Sequence, residues 1–227
     1  MSILAADDFN RANGGVGAVS SDWVSVVAGM LVDSGAVQST TVGASAAARW
    51  VRVLPPADQW VKATIKALSN STCNVVLMAR VSSITANRNF YSAEANGPFG
   101  KNASVVLRRQ VANTSEALSP VVVTEINVND TIMLEVVGPV LTLKINDVAL
   151  ITASDANHSS GYLGAWNNVG VGTLTDARMD DWQGGDFLNA AADPGVIRNV
   201  FKRPDDAAAS ASFVDGVTAR KYRSIVG

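Results

Sequence analysis

The stretch VVGPVLTLKINDVALITASD, residues 136–155, leaves a chain few conformational choices. Leu141, Leu143 and Ile145 alternate with Thr142 and Lys144, and a period of two sends successive side chains to opposite faces of a strand. A helix would need apolar residues three and four apart. Asn146-Asp147 follows at once, and these two residue types tolerate the left-handed backbone of a two-residue hairpin turn. Residues 131–137 lead in through Gly138-Pro139, and residues 148–152 lead out. Three consecutive antiparallel strands, a meander, are predicted.

The same period runs through much of the chain. In residues 59–68, Val61, Ala63, Ile65 and Ala67 oppose Lys62, Thr64 and Lys66. Residues 48–54 alternate less cleanly, with Arg49, Val51 and Val53 against Trp50 and Arg52. Further strands are predicted over 23–27, 30–38, 74–82, 89–95, 103–111, 121–126, 148–154, 161–167 and 177–183. Turn signals separate them: Asn13-Gly14-Gly15, Pro55-Pro56 and Asn96-Gly97-Pro98. About a dozen short strands with no helical pattern before residue 187 predict an antiparallel sandwich or barrel. No internal repeat is visible.

Composition narrows the chemistry. With 48% apolar and 17% charged residues, the chain has ample core and is no disordered polyelectrolyte. A net charge of -2 without clustered Lys and Arg predicts no nucleic-acid partner and no anionic-membrane partner. The one cysteine, Cys73, excludes an internal disulfide and a cysteine zinc site, and is expected in a buried strand. The one histidine, His158, is expected in a solvated loop and leaves little scope for triad chemistry. Residues 1–9 lack a basic region followed by an apolar core, so cytoplasmic synthesis without signal-peptide export is expected. No apolar run approaches the ~18 residues of a membrane span.

Several motifs together resemble a known family. They are the meander from Asn129 to Leu150, Gly161-Tyr162-Leu163-Gly164, Ala177-Arg178-Met179-Asp180-Asp181-Trp182, and the opening Asp8-Phe9-Asn10-Arg11-Ala12 with Gly17 and Trp23. This order resembles the concanavalin A-like lectin/glucanase (laminin-G-like) jelly roll over roughly residues 7–186. The resemblance implies an all-β antiparallel sandwich over residues 1–186 whose first and last strands lie side by side. Phe9 and Trp182 would then turn inward, with their acidic neighbours outward, and the sheet edge would be closed.

The resemblance also implies candidate sites. Related jelly rolls often hold a structural calcium near the termini, so Asp7, Asp8, Asp180 and Asp181 are either calcium ligands or solvated carboxylates. The loop from Asp155 to His158 is a second, weaker calcium candidate. Hydrolase branches carry closely spaced acids on one strand, but the four glutamates Glu94, Glu116, Glu125 and Glu135 make no such pattern. Catalysis is not expected, and Glu94 is expected to face solvent. Sugar binding would use Tyr91, or Trp166 with Asn167 and Asn168, or Phe99 beside Asn96 and Asn102, unless these aromatics belong to the core. Arg108 and Arg109 are expected on opposite faces, solvated or ion-paired.

Composition changes after Gly184-Gly185. Residues 187–227 are alanine-rich and carry six Lys/Arg against four Asp. Their apolar residues are too sparse for a core of their own. An extended C-terminal arm is predicted that docks through Val200, Phe201, Phe213, Val214, Tyr222 and Ile225. The Asp-x-Phe-x-Arg-Ala opening resembles domains common in bacteriophage virion proteins. That implies a non-enzymatic structural protein on the capsid surface or in the tail or its fibres. Its partners would be major capsid or tail proteins, copies of itself and host surface glycans, and its location the virion. The alternative is a carbohydrate-binding module of a bacterial protein.

Overall fold

The computed structural model describes residues 1–15, 21–27, 29–83 and 87–187. The expected arm, with Val200, Phe201, Phe213, Val214, Tyr222 and Ile225, lies outside the described residues. The strands are β1 (Ser2–Asp7), β2 (Gly14–Gly15), β3 (Trp23–Ser25), β4 (Met30–Asp33), β5 (Ala36–Ser39), β6 (Ala44–Trp50), β7 (Gln59–Leu68), β8 (Cys73–Ser83) and β9 (Asn89–Asn96). There follow β10 (Gly100–Val111), β11 (Thr114–Ala117), β12 (Val122–Ile126), β13 (Thr131–Val137), β14 (Val140–Ile145), β15 (Val148–Ser154), β16 (Tyr162–Val169) and β17 (Ala177–Asp186). A single 3-10 turn, Leu174–Asp176, is the one helical element among the described residues.

The hairpin chemistry works as the sequence predicts. Asn146 and Asp147 take φ of 51° and 64°, and Ile145 pairs with Val148 across the turn. The pairs β13–β14 and β14–β15 complete the meander. One nine-stranded sheet runs β15-β14-β13-β7-β17-β5-β4-β2, with β1 also on β17. An eight-stranded sheet runs β11-β10-β9-β8-β16-β6-β3, with β12 also on β10. Their inner faces share one core, in which Val61, Ile65, Leu134 and Leu143 of the first sheet join Val75, Leu77, Ala93 and Leu107 of the second. The protein is an all-β antiparallel sandwich of the jelly-roll kind, as expected.

Three local expectations shift. Residues 30–38 are two strands, because Ser34 and Gly35 turn the chain with φ of 50° and 74°. The strand expected over 48–54 is β6, which begins at Ala44 and ends at Trp50. Beyond it Pro55 and Pro56 cannot donate to a ladder, while Ala46, Ala47 and Ala48 pack with almost no exposed surface. Gly184 and Gly185 lie within β17, between β1 and β7. A β-carbon on Gly185 would stand 1.8 Å from the Ser2 carbonyl oxygen, so the double glycine lets two backbones close.

The ends meet as expected: β1 pairs with β17, and Asp7 stands opposite Trp182. Phe9 and Trp182 are fully buried, in an aromatic cluster with Trp23 and Trp50. Trp23 and Trp182 lie 4.7 Å apart, edge to face. The acidic neighbours do not all turn outward. Asp8 and Asp181 are exposed, whereas Asp7 and Asp180 are buried. Asp7 is tolerated inside because its carboxylate accepts hydrogen bonds from Trp23 Nε1 (2.8 Å), the Phe9 amide (2.9 Å) and Arg11. Cys73 is buried as expected. His158 is not solvated. It is packed inside, its Nε2 2.8 Å from the Gln110 carbonyl oxygen and its ring 4.8 Å from that of Tyr91.

Candidate functional site

Alternation on β8, β9, β10 and β16 decides what the smaller sheet shows to its outer side. Val75, Ala93, Leu107 and Ala165 point into the core, so Asn74, Val76, Phe90, Glu94, Asn96, Arg108, Trp166 and Asn168 take the other face. Register then aligns them. Asn96 pairs with Asn74, Asn74 with Asn168, and Asn168 with Ser45, which sets four polar side chains in one row across β9, β8, β16 and β6. At about 4.8 Å per strand the row is roughly 14 Å long. Beside it runs a second row, Glu94, Val76 and Trp166.

These rows floor an open cleft of about 480 Å³, rimmed by Arg88, Gln110 and Ser115. Phe90 meets Trp166 edge to face at 5.8 Å. The Arg88 guanidinium lies over the Trp166 ring, 5.5 Å from its centre, and its Nε donates to Asn113 Oδ1 at 2.9 Å. Glu94 accepts from Arg108 Nε at 3.1 Å and from Ser92 Oγ at 3.3 Å. Its side chain is 16% exposed, against 34% for Arg108. Burial pushes the Glu94 carboxyl above its ordinary value, and Arg108 pulls it part of the way back. Glu94 is thus an ion-paired floor residue rather than a solvent-facing one. It is the one carboxylate among the described residues lining the cleft.

Of the seven residues expected to hold a sugar, Trp166, Asn168 and Asn96 line this cleft, and Tyr91, Asn167, Phe99 and Asn102 do not. Tyr91 belongs to the core, and its hydroxyl donates to Asp155 Oδ1 at 2.6 Å while accepting from the His158 amide at 2.9 Å. Burial and the Asp155 carboxylate push its pKa up to about 12. Asn167 points inward and donates to the Val37 carbonyl oxygen at 2.8 Å, so its neighbour Asn168 takes the outer position. Phe99 packs against the core. Arg109, on the opposite face from Arg108, pairs with Asp155 and Glu116 as an ion-paired strand residue. Asn74, Ser45, Arg88 and Gln110 were not anticipated. Strand parity would have assigned Asn74 a face, but the register that brings it beside Asn168 joins strands far apart in sequence.

The four terminal aspartates do not converge. Asp7 is taken up by Trp23 and Arg11, and Asp8 accepts from the Asn10 amide at 3.1 Å. Asp180 accepts from the Asp181 amide at 2.7 Å and lies 3.6 Å from Lys66, while Asp181 accepts from Thr64 Oγ1 at 3.3 Å. Burial raises the Asp180 carboxyl, with Asp181 adding to the rise. Asp155, in the second loop, is held by Tyr91, Arg109 and the Asn157 amide. Among the described residues, no group of three His, Cys, Asp or Glu side chains is placed to hold a metal ion.

No family model and no curated protein matches the sequence. Solved structures do match in fold. The carbohydrate-binding module CBM66 of Bacillus subtilis aligns at TM-score 0.53 and 17% identity, over 73% of this chain and 92% of that one. A Bacillus subtilis protein of unknown function with a galectin-like fold aligns at TM-score 0.59 and 10% identity, over 82% and 96%. The β-glucanase of Bacillus licheniformis aligns at TM-score 0.55 and 11% identity, over 81% and 98%. What these chains share at such identities is architecture: the protein is a sandwich of the concanavalin A-like, galectin-like kind.

Proposed function

We propose that this chain is a carbohydrate-binding, lectin-like module whose site is the cleft on the outer face of the smaller sheet. One observation carries the reading: the row of Asn96, Asn74, Asn168 and Ser45 lies alongside the half-buried Trp166 on the same face. An aromatic ring offers a platform for the apolar face of a sugar, and amides both donate to and accept from its hydroxyls. Most pockets for small ligands combine these two features. The neighbours in fold include a protein described as a carbohydrate-binding module and another described as a β-glucanase. Hydrolysis by paired carboxylates needs a second acid. Glu94 lacks one among the described lining residues and is occupied by Arg108, which favours binding over cleavage.

The test is a glycan array probed with the full chain. Saturable binding is expected, and Trp166→Ala should weaken it roughly ten-fold or more, about 1.4 kcal/mol. Tyr91→Phe, changed inside the core, should bind as the parent does. Silence across the array, or undiminished binding by Trp166→Ala, would refute the assignment.

Placement on a bacteriophage particle is a further proposal, carried by the Asp8 to Ala12 motif and the composition of residues 187–227. It concerns where the module sits and leaves the chemistry of the cleft unchanged.

A further inference from the structure

The charge of the cleft differs from that of the chain. The protein as a whole carries -2, yet Arg88 and Arg108 face a single Glu94 among the described lining residues, a local balance of +1. Arg108 is offset by Glu94. Arg88 is not offset: its hydrogen-bonded partners at Nε and the backbone amide are both the neutral Asn113 Oδ1, and it has no ion pair among the described residues. The preceding residues Ile84, Thr85, Ala86 and Asn87 supply no acid either. Arg88, over Trp166 and anchored at Nε, lines the cleft, and its planar guanidinium fork keeps two terminal nitrogens as further donors. Arg108 is likewise held through Nε, with its side chain a third exposed. Such a fork matches the two oxygens of a carboxylate or sulfate. Low-dielectric walls strengthen that attraction.

We infer that the cleft selects an anionic glycan, one whose sugars carry carboxylate or sulfate groups, with Arg88 and Arg108 as the anion-recognising residues. This rests on the sugar-binding reading above and adds the class of sugar. The ring of one sugar lies against Trp166 with its acid group toward Arg88. The next acid group competes with Glu94 for Arg108. Removing the charge of Glu94 therefore strengthens rather than weakens binding. Burial raises the Glu94 carboxyl above its ordinary value, so protonating Glu94, which frees Arg108, acts in the same direction as removing its charge.

The experiment presents the full chain with an array of neutral, uronate-bearing and sulfated oligosaccharides, then titrates the best acidic ligand against its carboxyl-reduced or desulfated counterpart. The acidic form should bind roughly ten-fold or more tightly. Arg88→Gln and Arg108→Gln should each remove most of that preference, and Glu94→Gln should increase it; Arg88→Gln, which breaks no ion pair among the described residues, should leave the melting temperature unchanged, whereas Arg108→Gln should lower it by stranding Glu94. Preference for sulfate over uronate identifies the anion and supports the inference. Equal binding of neutral and acidic sugars, or full preference retained by both arginine variants, overturns it and leaves the sugar-binding site standing. Binding of no sugar at all overturns both.

Discussion

Asp7 gives the sharpest energetic test of how the sandwich closes. Its side chain is 1% exposed and bridges three donors: the Trp23 indole, the Phe9 amide and the Arg11 guanidinium. Asp7→Ala removes the acceptor and leaves a buried indole N–H and a cation 13% exposed without their partner. Breaking one side of a buried, hydrogen-bonded charge pair costs about 3–5 kcal/mol. For a domain of this size, each kcal/mol moves the melting temperature by about 2–4 °C, so a fall of roughly 6–20 °C is expected. Asp7→Asn keeps one oxygen for the Phe9 amide but turns a donor toward Trp23 and loses the charge, so it should fall between parent and alanine variant. Asp8→Ala is the control: Asp8 is exposed, accepts from the Asn10 amide, and its loss should change stability by at most about 0.5 kcal/mol. Thermal unfolding followed by circular dichroism reads all three. If Asp7→Ala and Asp8→Ala melt within 2 °C of each other, the idea that a buried carboxylate ties the opening segment to the aromatic cluster is wrong.

Two further outcomes follow from the same geometry. Burial, offset in part by Asp155 and reinforced by Arg109 and Arg80, holds the His158 pKa below its ordinary value. The unfolded chain therefore takes up a proton that the folded chain refuses, and this contribution to stability is lost as pH falls below about 6.5 toward the folded value. Urea titrations at pH 7.5 and 5.5 should show a smaller loss for His158→Gln than for the parent, and equal losses would refute the linkage. Gly185→Ala forces a methyl into the Ser2 backbone and should cost about 1–3 kcal/mol or more by displacing β1. Deleting residues 1–6 should then cost much less in that variant than in the parent, whereas simple additivity would mean the clash is relieved elsewhere.

How much of this was legible beforehand depended on range. The bounds of β7, β13 and β15 could be read because each carries its own alternation and turn residues. β6 was misplaced because Ala44 to Ala48 has almost no strand propensity, and it is a strand only because β16 and β3 flank it. The pairing of β1 with β17 was readable from the repeated acidic-aromatic motif at the two ends. In the site, Trp166 could be picked out by its asparagine neighbours, yet naming Asn167 together with Asn168 ignored parity, since a strand with Trp166 outward must turn Asn167 in and only Asn168 out. Tyr91 against Phe90 is the same error on β9. The row from Asn96 to Ser45 was beyond reach, because it exists only once four strands from distant parts of the chain are in register.

The place of β17 has a consequence for biosynthesis. It is the sole link, among the described residues, between the wing made of β7, β13, β14 and β15, the wing made of β5, β4 and β2, and the strand β1. A nascent chain therefore carries two unjoined half-sheets and an unpaired β1 until residue 177 has been translated. At about 5–20 residues per second, the 138 residues from the end of β5 at Ser39 to residue 177 leave its strand edge unpaired for roughly 7–28 s. Such a protein meets its aggregation hazard on the ribosome, before β17 arrives to seal it.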